Sequence, residues 1–333
     1  MHGIIGLSKE DRRTVFRNTA LKMGVHESIV EKDYWVCMAL DYVFQKSRYR
    51  KHLTFKGGTS LSKCFGLIMR FSEDIDLVLD WRLLGYGKDE PWKERSKTKQ
   101  DAFNKEINSK TEDFLADIFL PVFISDFCKV IGEDVTAVIE KHNPQTIDIR
   151  YPQLFSAEFL IPSIRLEIGA LADWTPTVVR TITPYIFEHY PEVFSNLSTS
   201  VVTSSAERTF WEKVTILHQE ANRPEHLDMP IRYSRHYYDL FCMARTEHKT
   251  LALNQLDLLD KVAAFKTKFY PRAWAKYEEA VPGSIRLVPP KFRLEGLRID
   301  YESMKEMLFG EYPSFDSLIS SIEGLECEIN KMS

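Results

Sequence analysis

One stretch constrains the fold of this chain more than any other: residues 55–79, which read FKGGTSLSKCFGLIMRFSEDIDLVL. A short apolar run ends at Gly57-Gly58, the residues after Ser60 have a helical pattern as far as Arg70, and DIDLVL has the pattern of a strand. A strand, a glycine turn, a helix and a second strand in so short a segment predict an α/β arrangement.

The strand of this block carries a pair of acids, Asp74 and Asp76. Residues two apart on a strand point to the same side, so both carboxylates share one face and Ile75 points away. Two carboxylates held this close repel each other, and a divalent cation is the usual remedy. A D-x-D pair can also lie at an exposed edge or cap a turn. Beside so apolar a run, however, two acids destabilise the fold unless something binds them.

The glycine turn has a matching interpretation. Gly57-Gly58 lets a ligand approach the backbone closely, and the amides of Thr59 and Ser60 at a helix start form an anion site. A turn of this kind is by itself more often only a tight turn. Joined by one helix to a metal-binding pair, it forms the apparatus of nucleotidyl transfer, because Mg²⁺ completes its coordination with substrate phosphates.

The rest of the chain alternates between helical and strand-like patterns. Periodicity predicts helices in residues 8–46, with Ser8 as N-cap, and in 111–131, 205–221, 233–244 and most of 250–333. Two segments, 146–151 and 161–168, are strand-like. The segment 88–110 holds seven Lys/Arg and five Asp/Glu, which favours a solvated insertion or helix face.

Composition excludes several classes of protein. The chain has 333 residues, a net charge of −4 and 44% hydrophobic residues, which suits two modest domains or one elaborated α/β unit. We find no membrane-spanning run and no signal-peptide pattern. The five cysteines form no CxxC pair, so we expect no disulfide framework or zinc ribbon, and a cytoplasmic location. The mild acidity excludes a uniformly basic coat but leaves room for a local basic groove.

The block 55–79 resembles the first motif of the AbiEii/AbiGii nucleotidyltransferase-like toxin family, within the polymerase-beta-type superfold. That motif reads roughly GGT-x-L, a helix, and then R-x-S-x-D-I-D-L. The chain matches it at Gly57, Gly58, Thr59, Leu61, Arg70, Ser72, Asp74, Ile75, Asp76 and Leu77.

Three later segments resemble further family motifs in the same order: a strand K-L-D/E-I, a helix with E-K near a preceding acid, and a helix with R-x-x-Y-D-L. Arg165 stands where the family has Lys, and His236 where many members have an acid. The segments EKDYWV (31–36) and DYESM (300–304) also look like this family. The three motifs are matched by Arg165, Leu166, Glu167 and Ile168, by Glu207, Glu212 and Lys213, and by Arg235, Tyr238, Asp239 and Leu240.

The resemblance implies a small mixed β-sheet nucleotidyltransferase core flanked by helices in residues 1–200, and a helical C-terminal domain in 201–333. It implies that Mg²⁺, or Mn²⁺, is held by Asp74, Asp76 and Glu167. The catalytic residues that it implies are Asp74, Asp76, Glu167, Lys213 and Asp239, and the nucleotide-binding residues are Lys56, Gly57, Gly58, Thr59, Ser60, Arg70 and Ser72.

Four of these residues also have a purely structural explanation. Glu167 can equally be an outward-facing strand residue, which leaves open another acid as third carboxylate. Arg70 can complement a helix C-terminus, and Lys213 can be a snorkelling lysine. Asp239 can pair with Arg235, one helical turn before it.

The activity that the resemblance implies is transfer of a nucleoside monophosphate from an NTP to an acceptor hydroxyl, such as a tRNA 3′ end. The protein would be the toxin of a toxin–antitoxin or phage-defence system, with an antitoxin partner and no membrane contact. The stretches 88–110 and 266–277 are candidate RNA surfaces, although 266–277 is more simply a helix with a charged face and buried aromatics.

Two alternatives stay open from sequence alone. The acceptor can be a protein side chain or a small molecule. The chain can also be a non-catalytic or GTP-binding module of the same fold that binds a protein or nucleic acid, which the presence of both first-motif acids disfavours.

Overall fold

The computed structural model describes residues 3–72, 74–132, 135–172, 175–191 and 198–332. The chain folds into two compact units, Met1–Cys64 with Phe71–Ser204, and Phe65–Arg70 with Ser205–Ser333. The first unit is built on a β-sheet and the second on helices. The division into domains 1–200 and 201–333 stays a prediction.

Several helices of the first unit begin after a capping serine or end at a glycine. The Ser8 and Ser96 hydroxyls accept hydrogen bonds from the third amide of the helices they precede. Gly24 and Gly132 end two helices at positive φ, the conformation that glycine adopts without strain. Two short π-helical segments, Tyr42–Lys46 and Phe114–Phe119, follow α2 and α4. The helices are α1 (Lys9–Met23), α2 (Glu27–Asp41), α3 (Gly57–Lys63), α4 (Lys97–Asp113), α5 (Leu120–Ile131) and α6 (Tyr185–His189).

The described residues of this unit form one mixed seven-stranded sheet, ordered β3-β4-β5-β2-β1-β7-β6. The pairs β2–β5 and β1–β7 are parallel, and the other neighbours are antiparallel. This confirms the predicted α/β class with a mixed sheet and flanking helices. The strands are β1 (Leu53–Lys56), β2 (Asp74–Leu79), β3 (Thr136–Glu140), β4 (Asn143–Arg150), β5 (Ile164–Gly169), β6 (Thr177–Ile182) and β7 (Thr199–Ser204).

Strand register separates the sheet into an apolar and a polar side. Ile75 is paired with Leu166, and Leu166 with Ile147, so these three side chains lie on one side, and all are fully buried. Each such side chain stabilises the fold by roughly 1.5–3 kcal/mol through burial. The alternate residues of the same strands, including Asp74 and Asp76, point to the other side.

Three expectations from the sequence differ from the structure. The helix predicted to run on to Arg70 ends at Lys63, and Gly66 then takes a φ of +61° that no α-helix contains. The segment 88–110 is not wholly solvated, because α4 begins within it and buries Phe103 and Ile107. Strands β3, β6 and β7 were not predicted, although their segments are rich in Val, Ile and Thr, the residues typical of strands.

The second unit consists of helices around α7. Ser205 caps this helix, and its stripe of Phe210, Val214 and Leu217 is fully buried. Helix α7 packs against α8, α9 and α10, and α8 packs against α11 and α12. The Asp300 carboxylate accepts a hydrogen bond from the Ser234 amide at 2.8 Å, so the DYESM segment secures the start of α8. The helices are α7 (Ala206–Ala221), α8 (Ser234–Met243), α9 (Glu247–Leu253), α10 (Leu256–Phe269), α11 (Lys291–Ser303) and α12 (Phe315–Asn330).

Candidate active site

The register of three neighbouring strands brings the predicted carboxylates to one side of the sheet. Asp76 on β2 is the direct partner of Glu167 on β5 and of Lys56 on β1. Asp74 is the direct partner of Arg165. Because directly paired residues point to the same side, these five side chains form one surface, which we call the acidic face.

Gly57 brings the backbone into contact with the acidic face. It opens α3 at a φ of +80°, and a Cβ atom placed on it would lie 1.9 Å from Asp76 Oδ2. A side chain at this position would therefore overlap the carboxylate. The glycine is required both for its backbone conformation and for the close approach to Asp76.

Helix α3 is joined to β2 and closed on itself by its own hydroxyls. Thr59 Oγ1 donates to the Asp74 carbonyl at 2.5 Å, and Ser60 Oγ donates to the Gly57 carbonyl at 2.9 Å. Thr59, Ser60 and Gly58 are buried. The helix begins at Gly57 rather than after Ser60, so the two hydroxyls shape the glycine turn, and their predicted nucleotide contacts stay predictions. Lys56 and Ser72 are half-buried.

The far end of α3 is anchored by a buried ion pair. Lys63 Nζ lies 2.7 Å from Asp33 Oδ1 and 4.0 Å from the centre of the Tyr185 ring, and Asp33 Oδ2 accepts from the Tyr185 amide at 2.7 Å. Burial alone lowers the pKa of Lys63, but the adjacent Asp33 carboxylate raises it above its usual value. The lysine therefore stays charged and holds α3 against α2.

Arg165 lies among the carboxylates of the acidic face. Its guanidinium is 2.9 Å from Glu140, 3.6 Å from Glu167 and 3.9 Å from Asp74. Burial lowers the pKa of Arg165, but Asp74, Glu167 and Glu140 together raise it. From the sequence, Arg165 was notable only because it stands where the family motif has Lys.

The donor chemistry of the acidic face suits a hard divalent cation, since Asp74, Asp76 and Glu167 offer carboxylate oxygens from neighbouring strands. Among the residues that the structure describes, no three acidic, His or Cys side chains lie close enough together to hold a metal ion. The Glu167 side chain is instead directed to Arg165. The assignment of Asp74, Asp76 and Glu167 as metal ligands stays a prediction, and Arg165 lies beside two of them.

Three predicted site residues of the second unit form a buried network. Arg70 Nε and Nη2 donate to the two Asp239 oxygens at 2.6 and 2.9 Å, and Lys213 Nζ lies 2.7 Å from Asp239 Oδ2. Lys213 Nζ also lies 3.1 Å from His236 Nδ1. Asp239 is therefore paired with two cations from other segments, and its predicted catalytic role stays a prediction.

Burial and mutual charge shift the pKa of every titratable group in this network. Burial would raise the pKa of Asp239, but Arg70 and Lys213 hold it well below its usual range. Burial lowers the pKa of Lys213, with Arg70 adding to the effect and Asp239 opposing it. Burial and the Lys213 charge keep the pKa of His236 well below its usual value, so this imidazole is neutral. Two cations thus share one carboxylate.

The sequence predicted the site residues of these clusters but not the residues that bind them. Arg70 is not at a helix end but pairs with Leu308 in a short β-bridge. The Lys63–Asp33 and Arg165–Glu140 pairs join positions far apart in sequence, and no local pattern indicates them. The EKDYWV and DYESM segments were the available signals, because each contributes an acid that binds a distant backbone or side chain.

A strand–glycine turn–helix–strand unit that carries paired carboxylates is the core of a nucleotidyltransferase. The family model "Nucleotidyl transferase AbiEii toxin, Type IV TA system" matches residues 39–321, and the chain belongs to this family. It is thus a nucleotidyltransferase toxin of a type IV toxin–antitoxin system, a family that implies an NTP substrate and an antitoxin partner. A comparison with curated proteins found no match.

Three solved structures resemble this chain at low sequence identity. MenT4, a nucleotidyltransferase toxin from Mycobacterium tuberculosis, is 14% identical, with a TM-score of 0.48 over 97% of this chain and 99% of that one. JHP933 from Helicobacter pylori is 12% identical, with a TM-score of 0.45 over 92% and 94%. A putative nucleotidyltransferase from H. pylori is 12% identical, with a TM-score of 0.41 over 93% and 99%.

Two further findings concern the cysteines and the possibility of a membrane-spanning helix. Cys37, Cys64, Cys128, Cys242 and Cys327 are all free thiols. Over the described ranges, no helix is both long and apolar enough to span a membrane.

Proposed function

We propose that this chain transfers a nucleoside monophosphate from an NTP to the 3′-terminal hydroxyl of a tRNA in the cytoplasm, with Mg²⁺ as the metal and Mn²⁺ as a substitute. A new phosphodiester bond forms at the acceptor oxygen, the bond to the β-phosphate breaks, and pyrophosphate leaves with the electron pair. The acceptor proton passes to a base, and we assign this role to the Glu167 carboxylate.

One observation carries the proposal: the acidic face joins Asp74, Asp76 and Glu167 on adjacent strands, with Gly57 in contact with Asp76. Mg²⁺ held there would neutralise charge on the reacting phosphates. The Lys56 side chain does not cap α3, and the first amides of this helix would be the groups that bind a phosphate. Phosphoryl transfer needs little beyond such positioning and charge neutralisation.

The segment 88–110 and the stretch 266–277 each present one exposed aromatic ring, Trp92 and Tyr270, and each has cations that pair with acids close by in sequence. In α4, Lys105 and Lys110 form ion pairs with acids one turn earlier on the same helix. After α10, Tyr270 and Arg272 are exposed, and the Arg272 guanidinium lies 5.7 Å from the Trp274 ring. Exposed aromatics among cations are what single-stranded RNA ends bind by stacking and charge.

The test is incubation of the purified protein with total tRNA, Mg²⁺ and each labelled NTP, followed by mass spectrometry of the RNA 3′ end. We expect one or more added nucleotides, a drop of at least about 100-fold for Asp76→Asn, and wild-type activity for Asp257→Asn, whose side chain is 72% exposed. Label on a protein instead of RNA would overturn the tRNA acceptor. NTP binding without transfer to any acceptor would favour the non-catalytic alternative.

A further inference from the structure

Arg165 has an environment that its place in the family motif does not explain. Its direct cross-strand partners are both acids, Asp74 on β2 and Asp148 on β4. Glu140 reaches it from β3 at 2.9 Å, and Glu167 lies two residues along its own strand at 3.6 Å. One guanidinium thus lies within ion-pair distance of carboxylates from three strands, β2, β3 and β5, and Asp148 on β4 adds a fourth acid beside it.

The negative charge around Arg165 exceeds what one arginine neutralises. Asp148 Oδ1 is buried, and within the described ranges it has no hydrogen-bond partner. The Asp74 and Glu167 side chains are only 22% and 36% exposed, so water screens their mutual repulsion incompletely. Without a cation at this point, the strands β2, β4 and β5 would hold adjacent like charges.

Arg165 also keeps the carboxylates apart from one another. Its Nη atoms contact Asp74 and Glu167, which are two of the three predicted metal ligands. Within the described chain no three-ligand cluster is present, and Arg165 lies beside two of its predicted members. A divalent cation that recruits Glu167 must therefore compete with the arginine for the same oxygens.

We infer that Arg165 is the internal counter-ion of the acidic face: it stabilises the metal-free protein and weakens divalent-cation binding by occupying Asp74 and Glu167. This inference rests on the proposed function for the presence of a metal. The arginine is a positioning residue, because it acts through the carboxylates. Removing its charge destabilises the protein without metal and strengthens metal binding, two effects of opposite sign.

The experiment compares full-length wild type, Arg165→Gln and Arg165→Lys by thermal unfolding with and without Mg²⁺, and by Mn²⁺ binding in EPR titrations. For Arg165→Gln we expect a metal-free Tm lower by about 2–4 °C, most of which Mg²⁺ restores. We expect its Mn²⁺ dissociation constant to fall about tenfold, since a unit charge a few ångströms from a divalent ion at a half-exposed site has that effect. Arg165→Lys keeps the charge and should resemble wild type.

The matched control is Arg82→Gln, which removes the same charge from an arginine that is 53% exposed and pairs with the buried Asp80, just after β2. It should leave Mn²⁺ affinity unchanged. Unchanged or weaker Mn²⁺ binding by Arg165→Gln, or a Tm loss that Mg²⁺ does not restore, would overturn the inference while leaving the metal site intact. A wild type that binds neither ion would overturn both this inference and the metal of the proposed function.

Discussion

At the scale of single residues, the acidic face depends most sharply on Gly57. Glycine is required here for two independent reasons. The residue has a φ of +80°, and an added Cβ atom would lie 1.9 Å from Asp76 Oδ2. An added methyl group must displace either the Asp76 carboxylate or the first turn of α3. Both are parts of the proposed nucleotide site.

We therefore expect Gly57→Ala to lower the rate of nucleotide transfer by about 100-fold, because a shift near 1 Å at reacting groups has this effect. The matched control is Gly85→Ala, which has a φ of +90° but nothing within 4 Å of the added Cβ. It should lower stability by about 1 kcal/mol and leave the rate unchanged. Equal rates for the two variants in a single-turnover assay would contradict the close-approach explanation.

Residue types and spacing already predicted Asp74, Asp76 and the glycine turn as a unit. The period of a strand fixes that two acids at positions i and i+2 share a side, whatever the fold. The same logic could not distinguish a functional Glu167 from an outward-facing one. That distinction needs the strand partner, and the partner is 91 residues away in the chain, at Asp76.

At the scale of elements, α2 connects the parts of the first unit through three consecutive charged residues. Glu31, Lys32 and Asp33 are all buried. Successive helical positions point about 100° apart, so each side chain reaches a different segment. Glu31 accepts from the amides of Leu154 and Phe155 at 2.7 and 2.9 Å, Lys32 donates to the Ile161 carbonyl at 2.7 Å, and Asp33 binds Lys63.

Glu31 makes the stability of this arrangement depend on pH. Burial raises its pKa from 4.5 to about 7, although the two amides and Arg12 oppose the shift. The folded state then binds the proton more tightly than the unfolded state, so the free energy of unfolding falls as the pH rises from about 4.5 to 7. The contribution lost over this range is about 3 kcal/mol.

The measurement is urea unfolding of wild type and Glu31→Gln at several pH values between 4.5 and 8. Because glutamine carries no charge at any pH, the variant should gain stability relative to wild type as the pH rises. Parallel pH profiles for the two proteins would show that Glu31 does not titrate in this range.

At the scale of the whole molecule, neither structural unit is one continuous segment of the chain. Residues 65–70 group with the second unit although residues on both sides of them belong to the first. Within the second unit, Arg70 is joined to Asp239, 169 positions later. The segment that precedes β2 therefore has its tertiary partner at the other end of the chain.

Asp239→Ala should be severely destabilising, because it leaves Arg70 and Lys213 buried without their shared carboxylate. Breaking a buried pair in this way costs about 3–5 kcal/mol. The comparison is Asp257→Ala, which removes an exposed partner of Lys261 one turn away and should change stability little. Chemical denaturation of both variants is the measurement, and similar midpoints would show that the network contributes little.

The net charge of −4 is also a property of the whole molecule. It excludes a uniform basic coat, and the acids of the acidic face account for part of it. Arg70 and Lys213 of the second unit are buried against Asp239. The net charge of the chain does not show which of its cations are buried in this way. Overall charge therefore does not identify the acceptor.

The sequence alone determined the first motif, the family, the α/β class and most helices, because these depend on spacing, capping and periodicity over short distances. Only the tertiary structure decided that Glu167 adjoins Asp76, that Arg165 serves several carboxylates, that Asp239 is shared by Arg70 and Lys213, and that three charges of α2 are buried. The physical reason is common to all: charged partners and strand neighbours are chosen by proximity in space, and proximity between distant segments leaves no periodic trace in the chain.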